Sequence, residues 1–477
     1  MTEAAEGDKT INLKDNLEVP AGYNRLQING SAANRRYFSI DGNSHSIIGT
    51  NTDESQFFWS FDRAVSTIKN LTIQDFRSSV NSGDFGGIKL QRSDLKLNNV
   101  NVQNFSNPSG GAKEIYGGVF DVSDGSVMRI EYAHLLNNKQ HADSAVNGDA
   151  MGGVLYVQGL MRGQKSWIDY LKFSYITNNA IISENKANAY GGAIFLEGYM
   201  DTFSGNTFSN NTAQAIMDGT SAYGGAVSLG GVFSDRGTAY ITYFGRDPLA
   251  DMEFTSNKAI ADGNGGEAAG GAFFVSEYGK TDFNKADESW MFFSGNIAQA
   301  DKGTAKGGAI ANYYKADSSV NMYALELENN QALGKTAQGG AIYNSGVINL
   351  ISDNTDKFDN QKHAFTFANN LAKGETAQGG ALYNSGTINT IQNVTFDGNK
   401  AESTLASAQG QGGAIYNAGN IGTLTDSQFL TSDDTIVNAA GAKIDIINNI
   451  TMAGFLQNSG TIADMTGTNI LNSLPNF

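Results

Sequence analysis

The residues best suited to chemistry are few and scattered. Acidic groups occur as Asp353, Asp356 and Asp359, as the pair Asp433-Asp434, and in the run Asp262-Gly-Asn-Gly-Gly-Glu267. Enzymes that cut acidic polysaccharides gather such carboxylates, often around Ca²⁺ with a cationic base or clamp beside them. Glycoside hydrolysis needs two carboxyl groups roughly 5 to 10 Å apart, and no spacing here singles out such a pair. Each cluster is expected to form solvated turns, and Asp262 to Glu267 is like a calcium loop in composition alone. The histidines are His45, His134, His141 and His363; none falls in a His-x-x-x-His or His-Glu-x-x-His pattern suited to zinc. There is no Gly-x-Ser-x-Gly elbow, no phosphate-cradling Gly-x-x-x-x-Gly-Lys-(Ser/Thr) loop, and no cysteine for thiolate metal sites or disulfides. No catalytic residue, metal ligand or cofactor is assigned, and a polysaccharide-cleaving activity is kept only as an alternative.

Aromatic residues offer more. Three stretches are longer and richer in rings than their surroundings: Gln158 to Ile176 with Trp167 and Tyr170, Val232 to Leu249 with Tyr240 and Tyr243, and Ser276 to Phe293 with Tyr278 and Trp290. Flat rings of this kind stack on ligands, and insertions in repeat proteins often carry the binding loops. A further set, Tyr343, Tyr383 and Tyr416, recurs at one position of a repeat and is expected to form one exposed aromatic stripe.

The elements that must position these rings are repeats. Gly-Gly-Ala-Ile-Tyr-Asn occurs at Gly339 to Asn344 and Gly412 to Asn417, with one change at Leu382 in Gly379 to Asn384; looser copies start at Gly117, Gly152, Gly191, Gly224, Gly270 and Gly307. The fourth residue of every copy is bulky and apolar (for example Phe120, Ile194, Phe273 and Ile415), the fifth is indifferent, and the sixth is Val, Leu or Asn. That period-2 pattern predicts a strand with positions four and six inward. The glycine pair supplies a bend or close backbone approach, and Asn312, Asn344, Asn384 and Asn417 at position six predict an internal amide ladder.

A second motif interleaves with the first, as in Phe208/Asn211/Ala213, Phe254/Asn257/Ala259, Phe293/Asn296/Ala298, Phe367/Asn370/Ala372 and Phe396/Asn399/Ala401. Its phenylalanine is expected to fill the core, its asparagine to take a left-handed corner, and its alanine to open the next face. Sustained 3.6-residue periodicity is missing, so stacked parallel strands are expected, in coils of about 20 to 25 residues and about 20 rungs, giving a rod on the order of 100 Å.

Composition agrees with an elongated repeat body. The 477 residues include 57 glycines, only 4 prolines and 10% aromatics, too rich in rings for a disordered linker. The formal charge of −16 opposes binding to nucleic acid or an anionic membrane. No apolar run is long enough to span a bilayer, and the N-terminus lacks the basic and hydrophobic parts of a signal peptide.

Over about residues 104 to 417, the alternating Gly-Gly-Ala-(Ile/Leu/Val) and Phe-x-x-Asn motifs resemble the passenger domains of polymorphic outer-membrane proteins and related autotransporter adhesins. The resemblance implies an all-β fold, a single-chain right-handed parallel β-helix, displayed outside the cell or on a bacterial surface. It implies attachment to a glycan or protein of a host cell or neighbouring bacterium, with the export or anchor domain outside this segment. The expected organisation is an N-terminal cap and first rungs over 1–62, marked by Arg25 and Phe57-Phe58-Trp59. The repeat helix follows over 63–417 with side insertions near 158–176, 232–249 and 276–293, then shorter C-terminal rungs and a terminus over 418–477. A passive stalk is the third reading.

Overall fold

The computed structural model describes residues 9–470 apart from 20–25, 32, 50–58, 78–86, 107–114, 143–149, 160–163, 185, 231–237, 245–250, 284–289, 315–319 and 356–361. Arg25, Phe57, Phe58, Asp356, Asp359, parts of the three aromatic stretches and the last seven residues thus lie outside the described residues. Among the described residues there is no helix, and all the strands but one antiparallel pair, Asn354–Thr355 with Lys362–His363, lie in parallel sheets.

One coil shows how the sequence winds. Leu155–Val157 is followed by Trp167–Lys172, a corner at Phe173, Tyr175–Thr177, a corner at Asn178, then Ala180–Ser183 and the returning Ala189–Tyr190. Gly191 (φ 63°) turns the chain into Ile194–Leu196, which pairs with Leu155–Val157 directly below. The neighbouring Gly192 is needed for packing: a Cβ there would sit 2.0 Å from the Gly225 carbonyl oxygen. The glycine pair therefore does two jobs, a left-handed turn and a coil-to-coil contact no side chain could enter.

The strands at the glycine pairs form a 14-stranded sheet. A 21-stranded sheet bends at the corners to make two further faces, and a six-stranded sheet, joined through the Phe283–Met322 bridge, carries one of these on from Val320. Coil length departs from expectation. One coil uses 26 to 46 residues over most of the rod and only 18 to 23 near its C-terminal end. The two sequence motifs lie on one coil, not on successive coils. Fourteen strands at about 4.8 Å spacing make the described rod about 60 Å long.

The interior is a single apolar column. All nine fourth-position residues are buried in it, and Phe208, Phe254 and Phe293 stack at 5.1 and 4.7 Å, as do Phe367, Phe396 and Phe429 at 4.9 and 4.6 Å. Two buried amide ladders run beside it. The expected one passes from Asn312 through Asn344, Asn384 and Asn417, each donating to the next side-chain oxygen at 2.8 Å, and continues to Asn438 and Asn458.

The second ladder corrects the reading of the Phe-x-x-Asn motif. The left-handed residue is the one before the asparagine, as at Asn178, Asn210, Ser256, Gly295, Asn329 and Asn369. The motif asparagine points inward instead, from Asn138 through Asn179, Asn211, Asn257, Asn296, Asn330 and Asn370 to Asn399. Asn211, for example, donates its main-chain N–H and its side-chain amide to Asn257 Oδ1, both at 3.0 Å, and also donates to the Ile176 carbonyl at 2.8 Å.

Beyond this corner the chain makes a third long sheet of 14 strands that leaves and returns. Its two layers meet through a buried cluster made of Ile181 and alanines such as Ala213, Ala222, Ala259, Ala268, Ala298 and Ala332. The motif alanine thus fills a narrow fin set against the main rod.

Candidate ligand-binding groove

A corner column of cations begins at the N-terminal end. The register Arg36–Ala64, Val65–Asp94, Val127–Asp94 and Val127–Trp167 puts Arg35, Arg63, Arg92, Gly125 and Lys165 at one corner on successive coils. Arg63 and Arg92 take left-handed conformations there, φ 51° and 50°. Both reach Asp62, Arg63 Nη1 at 3.2 Å and Arg92 Nη2 at 2.8 Å, while Arg35 Nη1 spans to Asp94 at 3.0 Å and Nη2 donates to the Arg92 carbonyl at 3.0 Å. Lys165 Nζ donates to the Thr238 carbonyl at 2.8 Å, and partial burial lowers its pKa from the usual lysine value.

Aromatic side chains continue the line. Trp167, Tyr199 and Tyr240 are in register at the start of three stacked strands. Tyr240 meets Tyr199 edge-on at 4.2 Å, and Tyr199 accepts a hydrogen bond from the Thr242 hydroxyl at 2.7 Å. Hydrogen bonding to Tyr199, then burial, raises the Tyr240 pKa. Trp167 and Tyr240 face outward and are each 39% exposed, less than Tyr37, Tyr132 and Tyr175 elsewhere on the rod. Together the cations and rings line a groove of about 810 Å³. Arg129, Tyr170, Thr202 and Tyr243 form a second outward row beside it, with Arg129 held to Asp169 at 2.6 Å and the Lys96 and Lys172 amines 6.0 and 5.9 Å from the Tyr170 ring.

The three aromatic stretches contribute Trp167–Lys172, Ala239–Phe244, Gly279–Thr281 and Met291–Ser294 to the long sheet, so their described parts are rungs. Tyr278 comes one coil beyond Thr238 at the same corner and is half-buried. Trp290 lies on another face, against Phe292 at 5.9 Å and His363 at 4.6 Å.

The expected tyrosine stripe forms but is not exposed. Tyr343, Tyr383 and Tyr416 stack at 5.3 and 5.5 Å with planes 4° apart, yet Tyr343 and Tyr383 are 6% and 8% exposed. The rings occupy the crook between the glycine-pair sheet and the returning layer of the fin, where Tyr313, Phe274 and Tyr223 extend the stack. Lys306 lies 4.9 Å from the Tyr343 ring and pairs with Glu267 at 2.6 Å, and Glu267 accepts the Tyr313 hydroxyl at 2.7 Å. Burial pushes the Tyr383 phenol up to about 12. Position five faces outward from the core, as its alternation requires, but a second layer that no single repeat announces covers it.

The acidic clusters disperse. Asp434 is buried and ends the asparagine ladder, accepting from Asn399, Gly398 and Thr431, while Asp433 pairs with Lys400 at 3.2 Å. Asp262 accepts from Gln214 at 2.6 Å, and Asp353 accepts from Ser352 and Asn393 at 3.0 Å. His134 packs edge-on against Tyr175, and His141 Nδ1 lies 2.8 Å from Glu184. Among the described residues no three histidine or acidic side chains gather to hold a metal.

Arg35, Arg63, Arg92 and Lys165 are the groove residues that the aromatic content of the sequence does not indicate, and Tyr199 lies outside the three aromatic stretches. Their signal is a period: the three arginines recur at intervals of 28 and 29 residues, one early coil each.

Residues 324–345 and 393–418 match the family model of the Chlamydia polymorphic membrane protein repeat, the family whose motifs they resemble. Searches of curated proteins and of solved structures find no match.

Proposed function

We propose that this chain is the surface-displayed passenger part of an adhesin, a rigid parallel β-helix that binds a glycan or protein of a host cell or neighbouring bacterium. The match to a polymorphic membrane protein repeat supports a surface-exposed, autotransporter-type passenger. One observation carries the adhesive part: on a chain of charge −16, the corner groove gathers cations and leaves Trp167 and Tyr240 partly bare. Exposed aromatic rings beside arginines are typical anchors of recognition surfaces.

Beads coated with the chain should adhere to cells, and Trp167→Ala with Tyr240→Ala should reduce adhesion several-fold while the melting temperature stays near that of the parent. Equal adhesion by the parent and an inert protein would leave the rod as a passive spacer.

A further inference from the structure

From the corner groove we infer that the ligand is an anionic oligosaccharide, a chain of pyranose rings bearing carboxylate or sulfate groups, lying along the axis of the rod. The inference rests on the adhesin reading and specifies its ligand.

Three features converge on that chemistry. The first is charge: residues 1–130 carry 13 Lys and Arg against 15 Asp and Glu, a net of −2, whereas the rest of the chain carries −14. Among the groove-lining residues Arg35, Arg63, Arg92 and Lys165 are cations and none is acidic; Asp62 and Asp94 pair with the three arginines from beside the groove, and Asp201 acts on the Tyr240 phenol. Asp124, beside Gly125, is turned to Gln91 at 3.4 Å. Planar guanidinium groups suit the flat, forked acceptors of carboxylate and sulfate.

The second is shape. From Arg35 to Tyr240 the column covers six coil steps, about 29 Å at the parallel-strand spacing. Each step is about the span of one sugar ring, so a linear saccharide can present a fresh ring or charged group to every coil. Gly125 itself brings no side chain to the wall, where the Gln164 side chain lies against it, and its left-handed φ of 78° explains the glycine there. The third is the change along the groove from guanidinium groups to rings. Trp167 and Tyr240 offer faces to the apolar side of a pyranose, which a purely ionic site would not need.

The test is titration of the whole chain with a heparin-derived oligosaccharide, an oligogalacturonate and a neutral maltooligosaccharide of equal length. One or both anionic probes should bind, and which one does separates sulfate from carboxylate recognition; the neutral probe should bind at least tenfold more weakly. Trp167→Ala and Arg63→Gln should each weaken binding about tenfold. Because Arg63 also pairs with Asp62, Lys165→Gln, checked for an unchanged melting temperature, gives an independent arm with an expected loss of threefold or more. Equal binding of the neutral probe, no binding of either anionic probe, or unchanged affinity in Trp167→Ala would overturn the inference. Cell adhesion by the same protein separates the two proposals: adhesion without saccharide binding sinks only the ligand assignment, and saccharide binding without adhesion sinks only the adhesin reading.

Discussion

A buried asparagine is tolerated only if its donors and acceptors are met, and here they are met by the equivalent residue one coil away and by a main-chain carbonyl such as that of Ile176 or Phe208. Asn257 Oδ1 accepts two hydrogen bonds from Asn211, and Asn257 donates its main-chain N–H and its amide to Asn296 Oδ1 at 3.0 Å. Removing the side chain leaves buried donors on Asn211 with no acceptor, each worth about 1–3 kcal/mol. Asn257→Ala should therefore lower unfolding stability by about 2–4 kcal/mol in urea titration; a change under about 0.5 kcal/mol would mean that water replaces the amide. The ladder on the glycine-pair sheet was legible because four asparagines repeat at one strand position. The second was not, because an asparagine next to a corner usually signals the corner itself, and only the residue before it has the positive φ.

At the level of elements, the fin sets the tolerance for size. Ala298 is fully buried between Ala259 and Ala332 of the coils on either side. Overfilling such a site costs about 1–3 kcal/mol, and Ala298→Leu should show that loss in thermal or urea melting. Gln299→Leu, one residue along on the outer side, is expected to change stability by no more than about 0.5 kcal/mol. Equal effects of the two would mean that the alanine seam is not tightly packed. The alanines and the glycine pair could be read in the sequence as sites needing small residues. Their reason could not, since it is a neighbouring coil's backbone that excludes the Cβ at Gly192 and a facing layer that leaves room for nothing beyond the Cβ at Ala298.

For the whole molecule, strand pairing joins each coil only to its neighbours, so stability is distributed along one dimension and is weakest where one neighbour is missing. Thr461–Thr466 is largely exposed, whereas Phe273–Val275 lies among Phe244, Phe254 and Phe283. Amide hydrogen exchange should release the former well before the latter. Uniform protection from end to end would instead indicate a single cooperative unit. The same linear order suits a ligand that extends along the rod, because every coil offers an equivalent corner at a fixed rise.

What the sequence determined by itself is local and periodic. Glycine pairs, alternating Ile, Leu and Val, and the Phe-x-x-Asn spacing require a bend, a half-buried strand and a polar inner position, and their repetition requires stacking. What only the tertiary structure decided is how many motifs one coil contains and what lies over the outward face. Strand alternation says which way Tyr343 and Tyr383 point, but their burial depends on the returning layer of the fin, from which Lys306 of the neighbouring coil reaches the Tyr343 ring. The groove follows the same logic: Trp167 and Tyr240 stand out in the sequence as rings, and three arginines 28 and 29 residues apart join them because the coil length at that end equals their spacing.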